Sequence, residues 1–92
     1  MKYVVVTTKS KGVFFGRILK NNQQDSVTLA DARCCLYWSK ELKGFMGLAS
    51  TGPTENCRVG PAVSEITLYD ITAILDCTET ATKAWEQAPW KI

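Results

Sequence analysis

Hydrophobic and polar residues alternate with a period of two along much of this chain, which is typical of half-buried β-strands. YVVVTT at 3–8 and VFFGRIL at 13–19 are rich in β-branched and aromatic residues, and the turn KSKG at 9–12 separates them. SVTLADA at 26–32 alternates cleanly after a polar loop at 21–25. The pattern therefore predicts three strands. Gly16, inside the second, indicates a bulge, a bend or a close backbone approach.

The stretch RCCLYW at 33–38 predicts a further strand, or a continuation of the third after a kink. Alternation divides its side chains between two faces. We expect the more apolar set to face the core and the other set to form a semi-polar surface. The expected core set is Cys34, Leu36 and Trp38, and the expected surface set is Arg33, Cys35 and Tyr37.

The hydrophobic period lengthens after Ser39, which is a good helix N-cap. Apolar residues then follow at spacings of three and four, which predicts an amphipathic helix over about 40–50. Gly44 and Gly47 lie inside it at a cost of roughly 1 kcal/mol each relative to alanine. They indicate either a close contact with a backbone or ligand, or a short irregular helix. The apolar positions are Leu42, Phe45, Met46 and Ala49.

The C-terminal third returns to strand character at 65–77, with a predicted break near Asp70. Thr78 or Thr80 can cap a short helix at about 79–87. These elements predict a single β-rich α+β domain over residues 1–92. Its core would be a strongly curved antiparallel sheet or a small open barrel, with the two short helices packed on it.

A chain of 92 residues buries only about 60–65% of its unfolded surface, so its core is thin. We therefore expect a homo-oligomer that buries some aromatic side chains between protomers. No apolar run approaches the ~20 residues that span a bilayer. The N-terminus carries no cleavage site of the kind that ends a signal peptide. We expect a cytoplasmic protein without membrane contact.

Charge is distributed unevenly along the chain. Residues 1–20 contain five basic and no acidic residues, whereas residues 65–92 contain five acidic and two basic residues. This asymmetry fits an anion-binding face on the first hairpin, head-to-tail pairing of protomers, or a plainly solvated surface.

The residue inventory argues against catalysis. The chain has no histidine, so the usual general base and the Ser–His and Cys–His nucleophile pairs are excluded. Four cysteines occur without Cys-x-x-Cys spacing, and the adjacent Cys34 and Cys35 should point to opposite faces of a strand. We expect no enzymatic activity, no metal, no cofactor, and reduced thiols partly packed in the core.

Basic and aromatic residues interleave in a way that favours a site for a nucleotide or a nucleic acid. Aromatic faces stack on bases, while arginine and lysine bind phosphate. With Ser39 as N-cap, free backbone N–H groups would lie just after Trp38, with Lys43 one turn on. The alternative is that Arg33 pairs with an acid and Trp38 fills the core. The candidate ligand-binding residues are Arg33, Tyr37, Trp38, Ser39, Lys43, Gly44, Gly47 and Arg58.

Five stretches carry a resemblance to a known family: TKSKGVFFGRI at 8–18, VTLADAR at 27–33, LYWS at 36–39, NCRVGPAVSEITL at 56–68 and AILDCTETA at 73–81. In their order and spacing the chain resembles an uncharacterised family of small bacteriophage proteins. The resemblance implies phage origin and action in the cytoplasm of an infected bacterial host. GVFFGRI followed by SVTLADA is also faintly similar to Sm-like small β-barrels.

Small non-catalytic phage proteins often act by binding. We therefore expect a non-enzymatic phage protein that binds a small anionic nucleotide-like ligand and counters host anti-phage defence by sequestering it. Two alternatives stay open. One is a nucleic-acid-binding regulator built on a small barrel, and the other is a module that binds a host or virion protein through the apolar helix surface at Phe45 and Met46.

Overall fold

The computed structural model describes residues 2–9, 12–22, 26–37, 44–54 and 57–89. Strands dominate these residues, and two short helices accompany them. The elements are β1 (Tyr3–Thr8), β2 (Val13–Asn22), β3 (Ser26–Tyr37), α1 (Phe45–Ser50), β4 (Arg58–Val59), β5 (Val63–Tyr69), β6 (Ile71–Asp76) and α2 (Glu79–Gln87). The predicted β-rich α+β fold is confirmed. None of the described helices is long and apolar enough to span a membrane.

The strands form one antiparallel sheet in which neighbouring strands run β5–β3–β2–β1–β6, and the short β4 pairs with the C-terminal end of β3. β5 and β6 lie at opposite ends of this order, although only Asp70 separates them in the chain. The sheet must therefore curl until its two ends meet at Asp70, which gives an open barrel. Asp70 adopts a φ of 56° and accepts a backbone hydrogen bond from Lys9 at 2.9 Å.

Irregular pairing between β2 and β3 accommodates this curvature. The register shifts between Phe15 and Arg17 and again between Ile18 and Lys20. Gly16 lies at the first shift, where a Cβ atom would approach the Cβ of Leu29 to 2.9 Å. The predicted bulge and close approach at Gly16 are both confirmed.

The central strands are buried on both faces, because the helices cover the outer face there and the curled sheet encloses the inner one. The helix-side core comprises Val5, Val13, Phe15, Cys35, Leu48, Ala49, Cys57, Val59, Ala81 and Trp85. The inner core comprises Val4, Val6, Val27, Leu29, Ala32 and Leu68. β1 supplies both cores, so its three consecutive valines have no exposed surface. Phe15 joins the helix-side core, while its neighbour Phe14 packs against the inner core.

α2 is capped at its N-terminus and hydrogen-bonded to α1. The hydroxyl of Thr78 caps α2 by accepting a hydrogen bond from Ala81 N at 3.0 Å. The indole Nε1 of Trp85 donates to the carbonyl of Leu48 in α1 at 3.0 Å. The predicted helix over 79–87 is confirmed, with Thr78 as its N-cap.

The first predicted helix begins later than position 40. α1 starts at Phe45, and its N-cap is Gly44, whose φ of 83° cannot be part of a helix. The prediction of Ser39 as N-cap of this helix is therefore wrong. Ser39 itself and residues 40–43 lie outside the described residues.

The predicted core face of β3 is also wrong. Arg33 and Cys35 are only 8% and 5% exposed, whereas Leu36 is 54% exposed. The side chains do alternate, but the face that carries Arg33 and Cys35 lies against the helix side of the sheet. Asp31 has a φ of 52° at the bulge opposite Gly16, and such a bulge changes which side chains face each side.

Candidate functional site

The eight predicted ligand-binding residues do not share one location among the described parts of the chain. Trp38, Ser39 and Lys43 lie outside the described residues. Tyr37 and Arg58 are direct cross-strand partners at the ends of β3 and β4, and both side chains are exposed. The predicted site as a whole stays a prediction.

Gly44 and Gly47 form the first turn of α1. Gly47 N donates to Gly44 O at 3.2 Å, and the carbonyl of Gly47 then accepts from Thr51 N at 2.9 Å. A Cβ at Gly44 would have no heavy atom within 4 Å among the described residues. Gly44 is therefore needed for its backbone conformation and not for a close approach.

Arg33 is bound by the protein itself. Its Nε donates to the carbonyl of Gly60 at 2.9 Å, and its Nη1 donates to the carbonyls of Trp85, at 2.8 Å, and Ala88. The last carbonyls of a helix lack partners within the helix and carry partial negative charge. Arg33 thus caps the C-terminus of α2, and burial lowers the pKa of its guanidinium. Its observed partners are backbone carbonyls and not an acid.

A column of three aromatic rings crosses the helix-side core. The ring of Trp85 stacks on Phe15 with 5.0 Å between centroids and 4° between planes. Phe15 in turn stacks on Tyr3 at 5.4 Å and 11°. Trp85 and Phe15 are buried, but Tyr3 is half-buried. The column therefore reaches solvent at Tyr3.

Two cavities flank Tyr3 along α2, and we call them together the α2 groove. The larger, of about 490 Å³, is lined by Lys2, Tyr3, Asp76, Cys77, Glu79, Thr82, Lys83 and Glu86. The smaller, of about 160 Å³, is lined by Tyr3, Phe15, Asp31, Arg33, Ala62 and Glu86. Tyr3 and Glu86 line both, so they mark the middle of the groove.

The α2 groove carries both signs of charge. Lys2 and Asp76, which both line the larger cavity, form an ion pair at 3.1 Å, and both side chains are mostly exposed. Such surface pairs contribute little to stability and exchange partners easily. Lys83 and Glu86 are exposed and form no ion pair with other described residues. The groove thus presents unengaged donors and acceptors beside an aromatic ring.

The cysteines do not provide a thiolate in this groove. Burial, with Asp76 adding to it, raises the pKa of Cys77 to about 12, so its thiol stays protonated at neutral pH. Burial likewise raises the pKa of Cys35 to about 12 and shifts that of Cys34 upward. All four cysteines are free.

Sequence patterns missed this groove because its parts come from distant segments. The alternation pattern places Tyr3 and Phe15 in two strands, and the predicted helix at 79–87 contains Trp85. No local period shows that the three rings stack. The available signal was weaker: Trp85 lies one turn after Ala81 on a short helix that must cover some part of the sheet.

Fold and groove together define the class of this protein: a small β-rich α+β domain on one curled antiparallel sheet, with an open groove along its C-terminal helix. A family model described as a domain of unknown function (DUF6948) matches residues 1–85. The match covers most of the chain, so the protein belongs to this family. No curated protein and no solved structure matches the chain.

Proposed function

We propose that this protein is a non-enzymatic binding protein that holds a small nucleotide-like ligand in the α2 groove. The stacked column that ends at Tyr3 carries the proposal. Stacking on an aromatic side chain is worth about 1–3 kcal/mol per base and tolerates any base. Because Phe15 backs Tyr3 and Trp85 backs Phe15, the platform is ordered before a ligand arrives, which lowers the entropic cost of binding.

The charges of the groove suggest an orientation for the ligand. Lys2 and Lys83 line the larger cavity and suit a phosphate group. Glu86 and Asp31 line the smaller cavity. The Asp31 carboxylate already accepts a hydrogen bond from Arg17 at 3.3 Å, so the exposed Glu86 is the acceptor that suits an exocyclic amino group of a base. Glu79 also lines the larger cavity and would repel a highly charged ligand. We therefore propose a ligand with a single phosphate or phosphodiester.

Capture of such a ligand offers a route to countering host defence. A protein without catalytic groups can lower the free concentration of a signalling nucleotide only by binding it, so it must be present above its dissociation constant. The resemblance of the sequence to small bacteriophage proteins supports this role.

Isothermal titration calorimetry with adenosine monophosphate, adenosine and inorganic phosphate tests the site. Tyr3→Leu should weaken both adenine compounds at least about fivefold, because it removes the stacking face but keeps an apolar side chain. Lys83→Ala should weaken the monophosphate and leave adenosine unchanged. Lys20→Ala, on an exposed position of β2, is the matched control. Repeating the titrations with guanosine, cytidine and uridine monophosphates covers the other bases.

Two results would sink the proposal. One is that none of the four monophosphates binds at millimolar concentration, and the other is that Tyr3→Leu binds them as tightly as the wild type while melting at the same temperature. A salt titration addresses the nucleic-acid alternative. A single phosphate gives a shallow dependence of affinity on salt, whereas single-stranded RNA contacting several cations gives a steep one.

A further inference from the structure

We infer that β5 is an assembly edge, and that it pairs antiparallel with β5 of a second copy of this chain. β3 is the only hydrogen-bonded neighbour of β5 among the described strands. Within the described parts of the chain, the opposite edge of β5 therefore presents unpaired backbone N–H and C=O groups, which form a template for another strand. Val63 is 45% exposed and Tyr69 is 67% exposed along this strand.

β5 lacks the features that usually protect an edge strand. Its sequence, VSEITLY, contains no proline, no glycine and no lysine, and it runs for seven residues. Proteins commonly protect such edges with short strands, prolines, bulges or inward charges. Glu65 is its one charged residue. An unprotected edge rich in β-branched residues favours pairing with a partner strand.

The sequence of β5 matches itself in one antiparallel register, the one centred on Ile66. This register pairs all seven residues and sets Glu65 opposite the partner's neutral Thr67. Val63 then faces the partner's Tyr69, which is a favourable β-branched and aromatic pair. On the other face Ile66 meets its own copy. The two exposed apolar residues of the strand thereby cover each other.

Other registers match less well. A shift by two residues in one direction sets Glu65 directly opposite Glu65 of the second copy, which places like charges together. The same shift in the other direction sets Glu65 opposite Tyr69 and leaves Val63 without a partner in β5. A shift by one residue sets the outer face of one strand against the inner face of the other, so Glu65 would meet Ile66. The register is therefore specified by the charge of Glu65 and by the alternation of side chains between the two faces of β5. Both can be changed by mutation.

Charge variants at Thr67 test the register. Thr67→Glu places a carboxylate opposite Glu65 at both ends of the symmetric pair and should weaken dimerisation about tenfold. Thr67→Lys places an opposite charge there and should leave dimerisation unchanged or strengthen it. Both variants lose the same 2.9 Å hydrogen bond between the Thr67 and Thr28 hydroxyls. Glu65→Lys combined with Thr67→Glu should restore the wild-type affinity.

Thr72→Glu is the matched control on the other edge strand, because Thr72 is exposed and forms a similar hydroxyl pair with Thr7 at 2.7 Å. Analytical ultracentrifugation across a micromolar concentration series measures each variant, with a melting curve to confirm folding. We expect a wild-type dimer that Thr72→Glu does not affect. A monomeric wild type would overturn the inference. So would equal weakening by Thr67→Glu and Thr67→Lys, or larger assemblies that Thr72→Glu dissolves, since these would indicate β5–β6 pairing.

Discussion

Arg33 ties three distant parts of the chain together, so replacing it with alanine tests whether it serves the fold or a ligand. Arg33 is 8% exposed, and its guanidinium donates to the carbonyl of Gly60 before β5 and to two carbonyls at the end of α2. Arg33→Ala leaves Gly60, Trp85 and Ala88 without this donor. We expect the variant to lose stability throughout the domain, because α2 carries Trp85 and the helix-side core.

The expected loss follows from the three hydrogen bonds. A hydrogen bond from a charged group contributes about 1.5–3 kcal/mol, and an unsatisfied buried acceptor costs about 1–3 kcal/mol. Water will reach some of the vacated carbonyls, and the variant no longer has to bury a cation. We therefore expect Arg33→Ala to lower the free energy of unfolding by about 3–5 kcal/mol. Small domains have only about 5–15 kcal/mol in total, so this is a large fraction.

Urea and thermal unfolding measure this loss. At about 4–8 °C per kcal/mol for a domain of this size, the melting temperature should fall by roughly 12–40 °C. The melting temperature of Arg33→Lys should fall about half as far, since an ammonium group keeps the charge but cannot reach all three carbonyls. Arg58→Ala, an exposed arginine on β4, should stay within about 0.5 kcal/mol of the wild type. An Arg33→Ala protein that melts within roughly 5 °C of the wild type yet binds no nucleotide would refute this account.

Two further predictions concern packing and the thiols. Gly52→Ala should lower the free energy of unfolding by about 2–4 kcal/mol, because φ is +81° and the new Cβ would lie 2.6 Å from the Cβ of Ala84. Gly44→Ala, at φ +83° with no described heavy atom within 4 Å of the new Cβ, should lose only the backbone contribution, about 1–2 kcal/mol. Equal losses of the two variants in urea unfolding would contradict the packing argument. Cys35 and Cys77, with pKa values raised from 9.0 to about 12, should react with iodoacetamide far more slowly at pH 8 in the folded protein than in urea, as mass spectrometry would show. The thiols ionise at lower pH in the unfolded chain than in the folded one, so burying them contributes to stability fully below pH 9, and this contribution is lost as the pH rises from about 9 to about 12. A free energy of unfolding that stays constant across that window would argue against this burial.

The local elements could be predicted because each depends on neighbouring residues. Alternation indicates strands, Gly16 indicates a bulge, and Thr78 with the short apolar spacing after it indicates α2. The sequence also predicts the break near Asp70. Local patterns do not show that the strands on either side of Asp70 pair at opposite ends of the sheet. That arrangement depends on pairing between residues more than thirty positions apart.

Another feature of the sequence predicts the buried face of β3. Three consecutive apolar residues in a strand indicate that both faces are covered, and the chain contains Val4, Val5 and Val6 as well as adjacent phenylalanines. When both faces of a strand are covered, a basic residue on it does not indicate which face is exposed to solvent. Arg33 is the direct cross-strand partner of Phe15, so once Phe15 lies under α2, Arg33 lies there as well.

The same geometry explains why the open site lies at Tyr3 and not at Arg33. α2 has nine residues and is therefore about 13 Å long, whereas the longest dimension of the fold is 34 Å. So short a helix cannot cover the whole outer face of the sheet. Arg33 lies under its C-terminal end, where the carbonyls need a donor, while Tyr3 lies at its side, where the covered layer ends. The consequence is a half-buried ring that is backed by a buried one and lines the groove, and it is the feature that a planar ligand would use.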